Sequence, residues 1–158
     1  MQFDMRMYQE YDMIHFGGAW AREMHRSVHP VRQGRVSVSS STGTSGSRAN
    51  PFFMVVEHGS SEEHGECYGF NLIYSGDHME SCEQNSYGRM RILSGINPEG
   101  FSFALEPGQS FQSPEAVMTY SDSGFAERRH HTADARFVPT ARTVFPSLSS
   151  NMHGAGER

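Results

Sequence analysis

The sequence predicts an all-β protein, an antiparallel β-sandwich, and three observations predict it. Apolar residues recur with a period of two in short runs. Clusters of Gly, Pro, Asn and Ser separate those runs. Almost no run keeps the helical period that would bury one side of a helix. With 158 residues the chain fits one ordinary domain. The sandwich is expected over residues 1–125, and residues 126–158 read as a divergent, disordered tail.

The elements follow in chain order. Met1 to Tyr11 is polar and methionine-rich and reads as a ragged start. Met13 to Phe16 begins to alternate, and Gly17-Gly18 suggests a bulge or a close backbone approach. Trp20 to His25 fits either a continued strand or a short helical turn. Arg35 to Ser39 alternates, with Val36 and Val38 on one face. Ser40 to Asn50 is a Ser/Thr/Gly-rich loop, a composition with no core of its own to bury. Phe52 to Val56 is a continuous apolar run, the pattern of a buried central strand. Glu57 to Glu66 is a polar loop.

Tyr68, Phe70, Leu72 and Tyr74 then share one face, and Gly69, Asn71 and Ile73 take the other. Ser75-Gly76-Asp77 reads as a hairpin turn into Met79 to Glu83. Asn85 to Gly88 is a second turn. Met90 and Ile92 point inward while Arg89 and Arg91 face water. Asn97-Pro98-Glu99-Gly100 splits this run from the next, in which Phe101, Phe103 and Leu105 share a face. Pro107-Gly108 suits the central positions of a type II turn, because Pro fixes φ and Gly tolerates φ > 0. Ala116 to Tyr120 is the last strand. Phe70, Leu72, Ile92, Phe103 and Val117 are the expected buried set. From Glu127 onward no period is sustained, and Arg128 to Arg158 is expected to be trimmed first by protease.

Composition narrows the function classes. The formal net charge is −5 and the isoelectric point near 6.0. Nucleic acid is therefore not expected as a partner, since phosphate binding needs a clustered basic surface. All 13 basic residues are Arg, which a GC-rich coding bias explains. Mean hydropathy is −0.58, and no run approaches the ~18 apolar residues of a spanning helix, so no membrane partner is expected. The start lacks a basic head followed by an apolar stretch, so no signal peptide is read and a cytoplasmic location is expected. Cys67 and Cys82 are too few for a structural zinc set. They read as two reduced thiols, with pairing open only if their strands are neighbours.

The candidate chemistry is sparse. Glu62, Glu63, Glu66 and Asp122 are available carboxylates, read as solvated loop or strand-edge charges. His58 and His64 flank one loop and His130-His131 are adjacent, but no His-Glu-x-x-His spacing exists, and neighbours on a strand point to opposite faces. Gly43 to Gly46 fails the Gly-x-Ser-x-Gly pattern, because Ser47 stands where the second glycine belongs. The aromatic strip Tyr68, Phe70, Tyr74, Phe101 and Phe103 reads as core, with stacking on sugar rings as the alternative. Trp20 is the best single candidate for a surface or interdomain role, against a packed indole. No residue is assigned as catalytic, substrate-binding or metal-binding, and no cofactor is called for.

Several of these segments also carry a family likeness. Tyr11 to Glu23, ending Trp-Ala-Arg-Glu, resembles a segment of the family 36 α-galactosidases of the glycoside hydrolases. So do the Gly/Ser-rich loop at Ser40 to Gly46 with Asn50-Pro51-Phe52-Phe53 after it, and the Gly65-Glu66-Cys67-Tyr68-Gly69-Phe70 strand entry. Tyr68 to Gly124 closely resembles that family's N-terminal β-domain. The likeness is read over Tyr11 to Gly124.

The resemblance implies an N-terminal domain of an enzyme that removes terminal α-D-galactosyl residues from melibiose- or raffinose-type oligosaccharides with retention. In that family both catalytic carboxylates are aspartates of a barrel, and a barrel takes roughly 250 residues. The expected partner is thus a catalytic barrel absent from this chain, through which alone the galactoside would be met, along with subunit contacts in a homo-oligomer. The chain by itself is expected to be inactive. Two other readings stand beside this one: a free-standing carbohydrate-binding sandwich, and a nonfunctional product of a truncated or frame-shifted gene.

Overall fold

Period-two alternation sorts the side chains of Tyr11 to Gly17 into two sets, with Tyr11 and Met13 on one face and Ile14 and Phe16 on the other. His15 joins the first set and Asp12 the second, yet Tyr11 to Ile14 are all buried, so this strand is covered on both faces. The computed structural model, which describes residues 1–22, 24–46 and 48–125, covers the first of these faces by stacking two antiparallel sheets. The expectation for 126–158 lies outside the described residues, as do His130 and His131.

Among the described residues there are nine strands and no helix. They are β1 (Gln2–Arg6), β2 (Tyr11–Gly17), β3 (His25–Val31), β4 (Gly34–Ser39), β5 (Phe52–Glu57), β6 (Cys67–Ile73), β7 (His78–Gln84), β8 (Arg89–Ile96) and β9 (Glu115–Ser121). One sheet runs β1-β8-β7-β4, the other β3-β2-β5-β6-β9. The all-β antiparallel reading therefore holds.

The core lies between the sheets. Tyr11, Met13, Val31, Phe53, Val55 and Phe70 from the five-stranded sheet meet Cys82, Met90 and Ile92 from the four-stranded one. Phe53 stacks on Phe70 with ring centroids 5.0 Å apart. A second cluster covers the far face of the five-stranded sheet: Ile14, Met54, Val56 and Cys67, with Phe16, Phe52 and Phe125 against it. Strand β5 is apolar at every position from Phe52 to Val56 because it is central and buried on both faces.

Four expectations need correction. Met1 to Tyr11 is not ragged: β1 forms an edge of the four-stranded sheet, and Phe3, Met5 and Met7 pack on the core. Ser75 to Asp77 is no hairpin turn, since β6 and β7 belong to different sheets and the segment crosses between them. Phe101 to Leu105 is extended but pairs with no strand, and Phe103 is 55% exposed. Residues 101–114 carry no strand at all, and β9 at Glu115–Ser121 is the strand that pairs with β6. Val117 is half-buried, and its neighbour Ala116 is the buried residue there. Phe70, Leu72 and Ile92 are buried as expected.

Two glycines are required by the backbone. Gly88 closes the β7–β8 hairpin at φ +68°, in the left-handed region. The Asn85 side-chain oxygen accepts from the amides of Tyr87 and Arg89, which fixes that turn. Gly124 has φ +86°, and a Cβ there would lie 2.5 Å from the Glu62 carbonyl oxygen. Its bareness lets the chain after β9 close on the loop before β6. The Pro107-Gly108 turn forms as expected, with Gly108 at φ +87° and the Gln109 amide donating to the Glu106 carbonyl over 2.9 Å.

Candidate functional site

Of the four acidic candidates, Glu62, Glu63 and Asp122 are exposed, as a solvated charge should be. Glu66 is different. It precedes β6 at one end of the five-stranded sheet, and three tyrosines from three strands converge on it. Tyr11 on β2 donates its hydroxyl to Oε2 at 2.9 Å, Tyr68 on β6 to the same oxygen at 3.5 Å, and Tyr120 on β9 to Oε1 at 3.4 Å. The Tyr68 and Tyr120 rings lie 5.0 Å apart. The Glu66 amide in turn donates to the Glu57 carboxylate at 3.2 Å. Glu66 thus sits at the strand edge as expected but is half-buried and engaged, because residues from distant parts of the chain converge on it.

The electrostatics of this cluster follow from its burial. Desolvation, then the hydrogen bond and charge of Glu66, raise the Tyr11 phenol well above its ordinary value. Burial and Glu66 push Tyr68 up to about 12, and the same causes raise Tyr120. At neutral pH all three phenols are protonated donors. They clasp the carboxylate and lock the ends of β2, β6 and β9 together.

A second polar group sits inside the sandwich. His78 and Glu80 are two residues apart on β7, share its inward face and are fully buried. His78 Nδ1 is 2.8 Å from a Glu80 carboxylate oxygen, and Nε2 is 3.1 Å from the Ala49 carbonyl oxygen. Both ring nitrogens therefore face acceptors. Burial disfavours the imidazolium, but Glu80 and the Ala49 carbonyl outweigh it and hold the His78 pKa up. Around this pair the loop from Ser40 is tied down: the Ser40 amide donates to the His78 carbonyl at 2.9 Å, and the buried Asn97 amide group to the Ser40 carbonyl at 2.9 Å.

The remaining candidates are dispersed. His58 Nδ1 lies 2.8 Å from Asp12 and His64 Nδ1 2.6 Å from the Ser61 hydroxyl. His15 and His29, which sequence reasoning passed over, bring their Nε2 atoms within 3.1 Å of each other. Among the described residues no group of three or more His, Cys, Asp or Glu converges to hold a metal. Cys67 and Cys82 are both reduced and lie in different sheets, and burial pushes the Cys82 thiol up to about 12.

Of the aromatic strip, Phe70 is core and Tyr68 half-buried, while Phe101 and Phe103 lie in the unpaired segment against Phe111. Trp20 is 89% exposed, so it is not a packed indole. It stands in a turn where Ala21 and Met24 both have φ of +63°, an uncommon conformation for side chains that carry a Cβ.

Comparison with known proteins adds what the geometry alone does not carry. The family model described as the glycosyl hydrolase family 36 N-terminal domain matches residues 1–106. The α-galactosidase AgaA of Geobacillus stearothermophilus is 43% identical over 115 residues, covering 73% of this chain and 16% of that protein. The probable α-galactosidase C of Aspergillus terreus is 35% identical over 157 residues, covering 94% of this chain and 21% of its own length. The likeness thus begins before Tyr11 and runs past Gly124. The crystal structure of AgaA superposes with a TM-score of 0.74 at 41% identity, over 78% of this chain and 17% of that one. The chain therefore spans about a fifth, or less, of the length of the relatives it matches.

Proposed function

The chain belongs to the glycosyl hydrolase family 36 N-terminal domain family, and from that premise we propose that it is the non-catalytic N-terminal part of an α-galactosidase. The whole enzyme would hydrolyse terminal α-D-galactosyl residues of melibiose- or raffinose-type oligosaccharides with retention. A barrel contributed by the polypeptide this chain lacks would carry the chemistry, and the sandwich would support it. The observation that carries the proposal is the match over residues 1–106. The α-galactosidase name of the relatives, and a variant of AgaA crystallised in complex with raffinose, favour the activity and substrate class.

The geometry of Glu66 supports the non-catalytic part of this reading. Retaining glycosidases hold two carboxyl groups about 5–5.5 Å apart on opposite sides of the anomeric bond. Here the most enclosed acidic candidate spends its oxygens on three phenols that stay protonated. The test is the purified 158-residue chain with p-nitrophenyl α-galactoside, where no turnover is expected. Turnover that survives repurification and is abolished by Glu66→Gln would overturn the proposal.

A further inference from the structure

Across the solvent face of the four-stranded sheet, charges alternate in one row. Asp4 stands opposite Arg91, Arg91 opposite Glu83, and Glu83 opposite Arg35. Arg91 and Asp4 meet at 2.8 Å, and Arg35 and Glu83 at 2.7 Å. Opposite charges directly across a ladder stabilise it, and like charges destabilise it. The next pair breaks that rule. Arg6 on β1 stands directly opposite Arg89 on β8. Neither has an ion-paired carboxylate among the described residues. Four arginines against two carboxylates (Arg6, Arg35, Arg89, Arg91 against Asp4, Glu83) leave this face positive on a chain whose net charge is −5.

Arg89 feels the Asp4 charge without touching it, and the Arg6–Arg89 pair lies in a cleft of about 500 Å³, lined also by Met7, Tyr8, Asn85 and Tyr87. Its two walls are the turn after β1 and the β7–β8 hairpin. The Met7 amide donates to the Gly88 carbonyl at 2.8 Å and fastens one wall to the other. Tyr8 is 86% exposed and Tyr87 88%, so both rings are offered to solvent. A cleft of this size suits a small ligand. Guanidinium forks match carboxylate and phosphate oxygens, while an exposed tyrosine ring offers an apolar face to a ring-shaped partner.

The geometry points to a binding site for a sugar that bears an oxyanion, a carboxylate or a phosphate. Arg6 and Arg89 take the anion, and Tyr8 or Tyr87 packs on the pyranose. The site is independent of the proposed galactosidase activity and needs no catalytic partner. An oxyanion between the guanidiniums would offset the like-charge repulsion of Arg6 opposite Arg89.

The 158-residue chain should be titrated by calorimetry, and by amide shifts at Tyr87, Gly88 and Arg89, with galacturonate, galactose 6-phosphate, methyl galactoside, acetate and inorganic phosphate. Saturable binding of at least one charged sugar is expected, weakening as salt rises. The tighter of the two names the oxyanion. Arg6→Gln and Arg89→Gln should each weaken it about tenfold or more, the scale of a lost charge-assisted hydrogen bond. Tyr8→Ala combined with Tyr87→Ala should weaken the charged sugars without changing the response to bare anions. Both arginines are exposed, and a circular-dichroism spectrum will verify that the variants fold. No saturable binding of either charged sugar, binding indifferent to both arginine changes, or equal affinity for the bare anions would each overturn the inference.

Discussion

Phe70 and Phe103 carry the same side chain and both sit in alternating runs, yet only Phe70 is in the core. Truncating a buried phenylalanine loses its transfer energy and leaves a cavity, so Phe70→Ala should cost about 3–5 kcal/mol. Phe103→Ala should stay within about 1 kcal/mol, as exposed sites do. Urea unfolding midpoints will separate them, and comparable losses would mean the exposed segment is structural after all. The Glu66 cluster gives a second test at this scale. A phenol whose folded pKa lies above the ordinary value near 10 contributes stability that is full below that pH. For Tyr68 that stability drains away as pH rises through about 12. Base-induced unfolding should therefore begin above pH ~10. Glu66→Gln should move the Tyr68 titration partway back, because burial, its larger cause, remains. Phenolate absorbance reads this directly. A Tyr68 titration that ignores the change would mean Glu66 does not face the phenol in solution.

At the scale of the element, the loop from Ser40 to Asn50 is built from residues with no core of their own, so its order comes from the buried His78–Glu80 pair and Asn97. The raised His78 pKa sets the sign. Its stabilisation is complete below the ordinary imidazole value near 6.5 and is lost as pH rises through the folded value. The His78 ring signal should titrate above that ordinary value. His78→Ala should speed amide exchange at Ser40 and Ser45 several-fold while leaving β9 unchanged; uniform loosening would assign the pair to global stability instead. This pair also shows where sequence legibility ends. Phe52 to Val56, Met90 with Ile92, and the turns at Asn85 and Pro107 are local patterns and can be read locally. Strand β1 is hard to read because only Phe3 and Met5 alternate within its five residues, with methionines flanking them at Met1 and Met7. Phe101 to Leu105 alternates like a strand yet joins neither sheet, because alternation alone does not supply a ladder partner. Ser75 to Asp77 has turn chemistry, which is the same for a hairpin and for a crossover between sheets. Glu66 lies 55 residues from Tyr11 and 54 from Tyr120, and no local period announces such a meeting.

For the whole molecule, the two outer faces of the sandwich differ in kind. The four-stranded sheet shows water its charged row, from Asp4 to Arg35. The five-stranded sheet instead buries the centre of its outer face, where Ile14, Met54 and Val56 are at most 7% exposed. Large exposed apolar side chains are grouped as well: Phe101, Phe103, Leu105 and Phe111 in one segment, Trp20 and Met24 in another. Clustered exposed apolar surface marks a place where protein meets protein. The matched part is 16% and 21% of the length of two relatives, and we expect further polypeptide of that kind to cover this surface. Hydroxyl-radical labelling tests this by comparing the 158-residue chain with a protein extended to the relatives' length. Labelling of Phe101, Phe103 and Phe111 should fall several-fold in the longer protein. Tyr8 and Tyr87 should react equally in both, since they line a cleft on the charged side and serve as the internal reference. If the three phenylalanines stay as reactive in the long protein, that segment remains open to solvent there too. The sandwich would then have to meet the rest of the chain elsewhere, with the exposed Trp20 and Met24 the next place to look.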